Sequence, residues 1–93
     1  MIKSFADKRT QELYSRGESR KFPADVAPRA ARKLEYVHLA EQLDDLKVPP
    51  GNRLHPLFGN RQGQHAISIS DQWRICFRFE DGDAYEVEVC DYH

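Results

Sequence analysis

Asp91, Tyr92 and His93 close the sequence. A carboxylate, a phenol and an imidazole together supply proton donors and acceptors over a wide pH range. Imidazole titrates near neutrality, which suits general acid–base catalysis. The other reading of these three residues is a polar chain end without chemistry. His55, in Arg53-Leu54-His55-Pro56-Leu57, completes an acid–base pair if the fold brings it to His93; otherwise it is a surface histidine beside a turn. Arg74 alternates with Trp73, Ile75 and Phe77, so it faces away from that apolar row. A guanidinium there can grip a phosphate bidentately and stabilise developing charge. Arg78 follows on the same face. A cross-strand ion pair with Glu86 or Glu88 would occupy it and leave Arg74 for phosphate.

These side chains need a scaffold, and the hydrophobic pattern supplies one. Residues 2–5 are apolar-rich and predict a first strand. Asp7 suits an N-cap, Leu13 and Tyr14 give a short helix its apolar face, and Gly17 is placed to end it. Pro23 and Asp25 mark the start of a second helix, with Pro28 in its first turn, where no N–H is needed. Val26, Ala30, Leu34 and Val37 form its single stripe, and it should run to about Ala40. Leu43 and Leu46 bracket a short turn. Val48-Pro49-Pro50-Gly51-Asn52 breaks regular structure.

Strands follow: 53–58, then 65–70 with Ile67 and Ile69 on one face. The next carries Trp73, Ile75, Phe77 and Phe79 on one face and Arg74, Cys76 and Arg78 on the other. Asp81-Gly82 predicts a tight hairpin. In the last strand Tyr85, Val87 and Val89 alternate with Glu86, Glu88 and Cys90. The expectation is one α+β domain over residues 1–93, with two N-terminal helices packed on a mainly antiparallel sheet of about four strands. Trp73 should head the core stripe, and Cys76 and Cys90 should be buried or half-buried thiols. His38 should lie on a helix surface and His65 at a strand start. Arg29, Arg32 and Lys33 give the second helix a basic face, either solvated or touching nucleic acid.

Composition narrows the function classes. The 93 residues hold 14 Lys+Arg and 15 Asp+Glu, but residues 80–93 carry six of the acids and no Lys or Arg. Residues 1–79 are left with an excess of five positive charges, compatible with nucleic acid. No apolar run suits a membrane span or a secretory leader, which points to the cytoplasm. Two cysteines make no disulfide scaffold, and no zinc spacing, P-loop or dinucleotide fingerprint occurs. The expected metal and cofactor content is none.

Five segments together resemble HigB-type toxins of the RelE/ParE superfamily, from bacterial type II toxin–antitoxin pairs. They are Met1-Ile2-Lys3-Ser4-Phe5, Val48-Pro49-Pro50-Gly51-Asn52-Arg53-Leu54, Asp71-Gln72-Trp73-Arg74-Ile75-Cys76-Phe77-Arg78-Phe79, Asp81-Gly82-Asp83-Ala84-Tyr85 and Asp91-Tyr92-His93. The resemblance covers nearly the whole chain. It implies a RelE/ParE-like fold and a ribosome-dependent mRNA endoribonuclease that inhibits translation. In such toxins the 2′-hydroxyl attacks the adjacent phosphate without a metal. It places His55, Asp91, Tyr92 and His93 on catalytic positions and Arg74 on a phosphate-contacting one, with Arg53 and Arg61 as further RNA contacts. A lysine common soon after the His-Pro-Leu segment is Phe58 here, so Arg61 is the candidate replacement cation. Implied partners are a HigA-type helix-turn-helix antitoxin, the ribosome with its mRNA, and operator DNA only through the antitoxin. The same fold also serves ParE-like gyrase inhibitors and would serve a non-catalytic antitoxin-binding module; the proton-moving tail favours the nuclease.

Overall fold

The computed structural model describes residues 1–91. Helix α1 spans Lys8–Arg16; the Asp7 side chain accepts from Thr10 N at 2.8 Å, and Gly17 takes the left-handed conformation that ends it. Helix α2 spans Ala27–Leu39 and buries Ala27, Ala30, Leu34 and Val37, the expected stripe. It starts later than Pro23 or Asp25, because the Pro23 carbonyl accepts from both Val26 N and Ala27 N and closes a turn there. Single turns of 3-10 helix cover Leu43–Lys47, Pro50–Asn52 and Gly59–Arg61.

Four strands, β1 (His55–Pro56), β2 (His65–Ser68), β3 (Trp73–Glu80) and β4 (Asp83–Asp91), form an antiparallel meander in the order β1-β2-β3-β4. The expected strand over 53–58 shrinks to two residues. Arg53 sits in the left-handed region, at φ 49° and ψ 48°, and Pro56 has no N–H for a ladder. The expected strand over 65–70 ends at Ser68. Residues 2–5 make two isolated parallel bridges instead of a strand, Ile2 to Ala84 and Phe5 to Val87, along the outer edge of β4. Asp81 and Gly82 both have positive φ, as a two-residue hairpin turn requires.

One irregularity sets which residues share a face. Arg78 pairs with Tyr85, but Cys76 pairs with Glu88, so Phe77 meets two residues of β4. Glu86, at φ 55°, is the extra one, and its N–H donates to Ser4 Oγ at 2.9 Å. The bulge changes the phase of β4. Tyr85 stands on the Arg78 face, not with Val87 and Val89 as strict alternation predicts.

The helices cover one face of the sheet. Ile67, Ile69, Ile75, Phe77, Ala84, Val87 and Val89 pack there against Leu13, Phe22, Ala30, Leu34, Val37 and Leu46. Trp73 joins this core and meets the Phe22 ring edge-on at 5.8 Å. His65 opens β2 as expected. His38 is not a plain helix-surface residue: it is half-buried, its ring lies against Tyr14, and its Nδ1 accepts from Ile2 N at 3.1 Å.

Candidate active site

The second face of the sheet is open. Its apolar floor is small: Leu57, Ala66, Cys76 and Cys90. Strand register lays two rows across it. His55 pairs with Ala66, Ala66 with Cys76 and Cys76 with Glu88. Ser68 pairs with Arg74 and Arg74 with Cys90. His55 and Arg74 therefore face the same side, one row apart. A cleft of about 310 Å³ opens at the His55 end, lined by Arg53, His55, Ser68, Ser70 and Asp71. A larger hollow of about 510 Å³ lies by Glu12, Arg16, Glu18, Ser19, Arg20 and Lys21. It holds no imidazole or thiol, and its Lys21 is paired to Glu12 at 3.3 Å. The chemistry sits in the smaller cleft.

His55 is held by its own loop. Its Nδ1 lies 2.7 Å from the Arg53 carbonyl oxygen. A carbonyl only accepts, so Nδ1 carries the hydrogen, and Nε2 of the neutral ring is left as a proton acceptor. The left-handed backbone of Arg53 aims that carbonyl, and the neighbouring Asn52 fixes the loop. Asn52 is fully buried; its Nδ2 donates to the Leu46 and Val48 carbonyls, and its Oδ1 accepts from Lys33 Nζ at 2.6 Å. Burial, with Arg29 adding to it, lowers the Lys33 pKa. Lys33 is thus tied into the loop, while Arg29 and Arg32 stay exposed on α2.

The arginines divide by their partners. Arg78 pairs with Glu86 at 3.4 Å, the cross-strand ion pair foreseen from sequence, and its guanidinium lies over Gly63. A Cβ at position 63 would stand 2.8 Å from Arg78 Nη1, and φ there is 92°. Arg61 donates to Glu88 Oε1 at 3.2 Å, to Gln64 Oε1 at 3.1 Å and to Cys90 Sγ at 3.5 Å. It is a fixed cation above the sheet. Arg74 is half-buried and engaged within the fold, so it is not simply left over for phosphate. Arg53 is exposed at the cleft, and Phe58, three residues after His55, is 77% exposed.

Of the closing residues, Asp91 is described. It pairs with Trp73 in register and accepts from Gln72 Nε2 at 3.1 Å. Trp73 belongs to the helix side, so Asp91 shares that pleat and points away from the side of His55. Tyr92 and His93 lie outside the described residues. Sequence reasoning assigned no role to Ser68, Ser70, Asp71 or Asn52. It also missed that Cys76 and Cys90 touch, Sγ to Sγ, at 3.3 Å. Among the described residues no three His, Cys, Asp or Glu side chains gather as metal ligands. No helix there is long and apolar enough to cross a membrane.

Known proteins share this fold. A chain of the YoeB–YefM complex from Staphylococcus aureus superposes with a TM-score of 0.61 at 13% identity, covering 100% of this chain and 98% of that one. YafQ from E. coli gives 0.60 at 11% identity, covering 98% and 93%. At such identities the likeness concerns the fold, which is that of RelE-like toxins. Endoribonuclease HigB of Proteus vulgaris is 37% identical over 93 residues, with 100% of each chain covered. Toxin HigB-1 of Vibrio cholerae is 35% identical over 85 residues, with 90% of each covered. The family model of the RelE-like toxin of the type II toxin–antitoxin system HigB matches residues 3–93. With its meander sheet, two covering helices and this match over nearly its whole length, the chain belongs to the HigB-like family of type II toxins.

Proposed function

We propose that this toxin, as one domain over residues 1–93, is a ribosome-dependent endoribonuclease that cuts mRNA in the cytoplasm and so stops translation. The observation that carries the reading is the open sheet face. It presents an oriented imidazole, His55, beside a cleft, with Arg53, Arg61 and Arg74 on the same side. The name of the Proteus vulgaris relative supports the activity. In the proposed reaction His55 Nε2 takes the proton from a ribose 2′-hydroxyl. The oxygen bonds to the adjacent phosphorus, the bond to the 5′-oxygen breaks, and a proton from Tyr92 or His93 meets that leaving oxygen. Asp91, on the opposite pleat from His55, is not given that role. Arginine guanidinium groups stabilise the charge on the phosphorane. The chain's own side chains supply each step, and the ribosome's part is to hold the mRNA in line, which contributes several kcal/mol.

As a type II toxin the protein has an antitoxin partner. We propose a HigA-type helix-turn-helix antitoxin, through which alone the pair reaches operator DNA. The deciding experiment maps mRNA 5′ ends after brief induction without antitoxin, beside cleavage on programmed ribosomes by the pure protein. New ends within translated codons, absent in His55→Ala, support the reading. DNA damage without new ends would replace it with gyrase inhibition, and neither effect would leave a binding module.

A further inference from the structure

We infer that Cys76 and Cys90 are a built oxidation site, a dithiol that a peroxide converts into an intramolecular disulfide across β3 and β4. The two sulfurs lie 3.3 Å apart although the residues are 14 apart in sequence. They sit on one pleat, diagonal across the ladder, because Cys76 pairs with Glu88 and Arg74 with Cys90. To bond, the sulfurs close from 3.3 Å to about 2.05 Å. Both are reduced thiols here.

Buried thiols are ordinarily inert because burial disfavours the thiolate. This pair differs in its surroundings. The hydrogen bond from Cys90 holds the Cys76 thiol down to about 7 against the effect of burial, with Arg61 and Arg74 adding to the lowering. The same bond, then burial, pushes Cys90 up. Of the two, Cys76 is the thiol that loses its proton more readily, while Cys90 keeps its own and donates it to Cys76. Arg61 Nη2, 3.5 Å from Cys90 Sγ, is the nearby cation. Cys76 is fully buried and Cys90 keeps 6% exposure, so the route in suits a molecule near the size of water and excludes a bulky disulfide.

The electrons balance as follows. The Cys76 thiolate attacks one oxygen of hydrogen peroxide, the O–O bond breaks, and hydroxide leaves to be protonated to water. Cys76 is then a sulfenic acid. The Cys90 sulfur attacks that sulfur, the S–O bond breaks, and the second oxygen leaves as water with the Cys90 proton. Two thiols lose two electrons and one peroxide becomes two waters. The disulfide weakens one of the three contacts of Arg61, leaving Glu88 and Gln64, and draws the end of β4 toward Cys76. Resting on the nuclease reading, this lowers RNA cleavage.

Trypsin makes the test direct, because it cuts after Arg74 and Arg78 and finds no later site. The native protein is treated with hydrogen peroxide, alkylated and digested without reductant. The expected product is residues 75–78 linked to residues 79–93, lost on adding dithiothreitol, from a protein that runs as a monomer on a non-reducing gel. Two separately alkylated peptides, a sulfinic or sulfonic acid on either cysteine, or a covalent dimer would overturn the inference. Cys90→Ala removes the resolving thiol, so peroxide-treated Cys76 should give a dimedone adduct when the folded variant is then unfolded in the presence of dimedone; a variant that folds and gives none counts against it. If that variant does not fold, the wild-type peptide map still decides. Cleavage on ribosomes should fall in the oxidised protein and return with dithiothreitol. Reduced protein that never cleaves would sink the nuclease reading and leave the peptide result standing.

Discussion

The two faces of the β-sheet share four strands and little else. The helix side is a continuous apolar cluster in which Leu13, Ala30, Leu34, Val37, Ile67, Ile75, Phe77, Val87 and Val89 are fully buried. The open side has a small apolar cluster, Leu57, Ala66, Cys76 and Cys90, under a layer of Arg61, Arg74, Arg78, Glu86 and Glu88. The difference separates stability from chemistry. Burying apolar area on one face supplies most of the folding free energy. The other face can then hold cations and an imidazole near solvent at small cost. A domain of this size has one modest core, so it does not build both faces from apolar residues.

The largest effect should come from the helix side. Phe77→Ala should cost about 3–5 kcal/mol, because it empties the middle of the core. Urea unfolding measures it, and a loss under about 1 kcal/mol would mean that the cluster does not dominate stability. For the residues assigned to catalysis the expected effect is kinetic. His55→Ala, and separately deletion of Tyr92 and His93, should each reduce cleavage on ribosomes by about 10²-fold. Stability should move by less than about 1–2 kcal/mol in each. If the groups act as one unit, combining the changes should cost less than their product. A His55→Ala protein that melts like Phe77→Ala would erase the contrast between the faces.

Asn52 joins the two regions, since it ties α2 to the loop that carries His55. Asn52→Ala should cost about 1–3 kcal/mol, as it leaves buried carbonyls and Lys33 without their partner. It should also lower kcat by misplacing the imidazole, with KM less affected. A change in melting temperature alone would make Asn52 purely structural. The smallest effect lies outside both faces. Burial, then the hydrogen bond to Glu35, raises the Tyr14 pKa from 10.0 to about 12. The folded state therefore favours the neutral phenol. That contribution is complete below pH 10 and fades as pH rises through 12. Tyr14→Phe should cost less than about 1 kcal/mol at neutral pH, because the pair is exposed. The gap to wild type should narrow above pH 10, as alkaline denaturation can read.

Local patterns carried much of the architecture. Asp7 and Gly17 bound α1, the Ala30-Leu34-Val37 stripe defines α2, and Asp81-Gly82 makes the hairpin, because capping, helical period and turn geometry act within a few residues. Alternation in β3 placed Trp73 with the core and Arg74 on the opposite pleat. His55 and Arg74 could be picked out by residue type, since few side chains move protons or grip phosphate.

Other features exist only because distant segments meet. A two-residue turn alone would pair Cys76 with Val87. The bulge at Glu86, whose N–H donates to Ser4 82 residues away in sequence, shifts that register by one. The shift puts Val87 into the core and brings the two thiols together. The orientation of His55 likewise comes from the Arg53 carbonyl, in a loop pinned by Asn52 to α2. Sequence periodicity determined which residues belong inside and which elements they build, because it is written in neighbours. Register, loop conformation and side-chain partnership were decided by tertiary structure. They minimise energy over contacts that no local window contains.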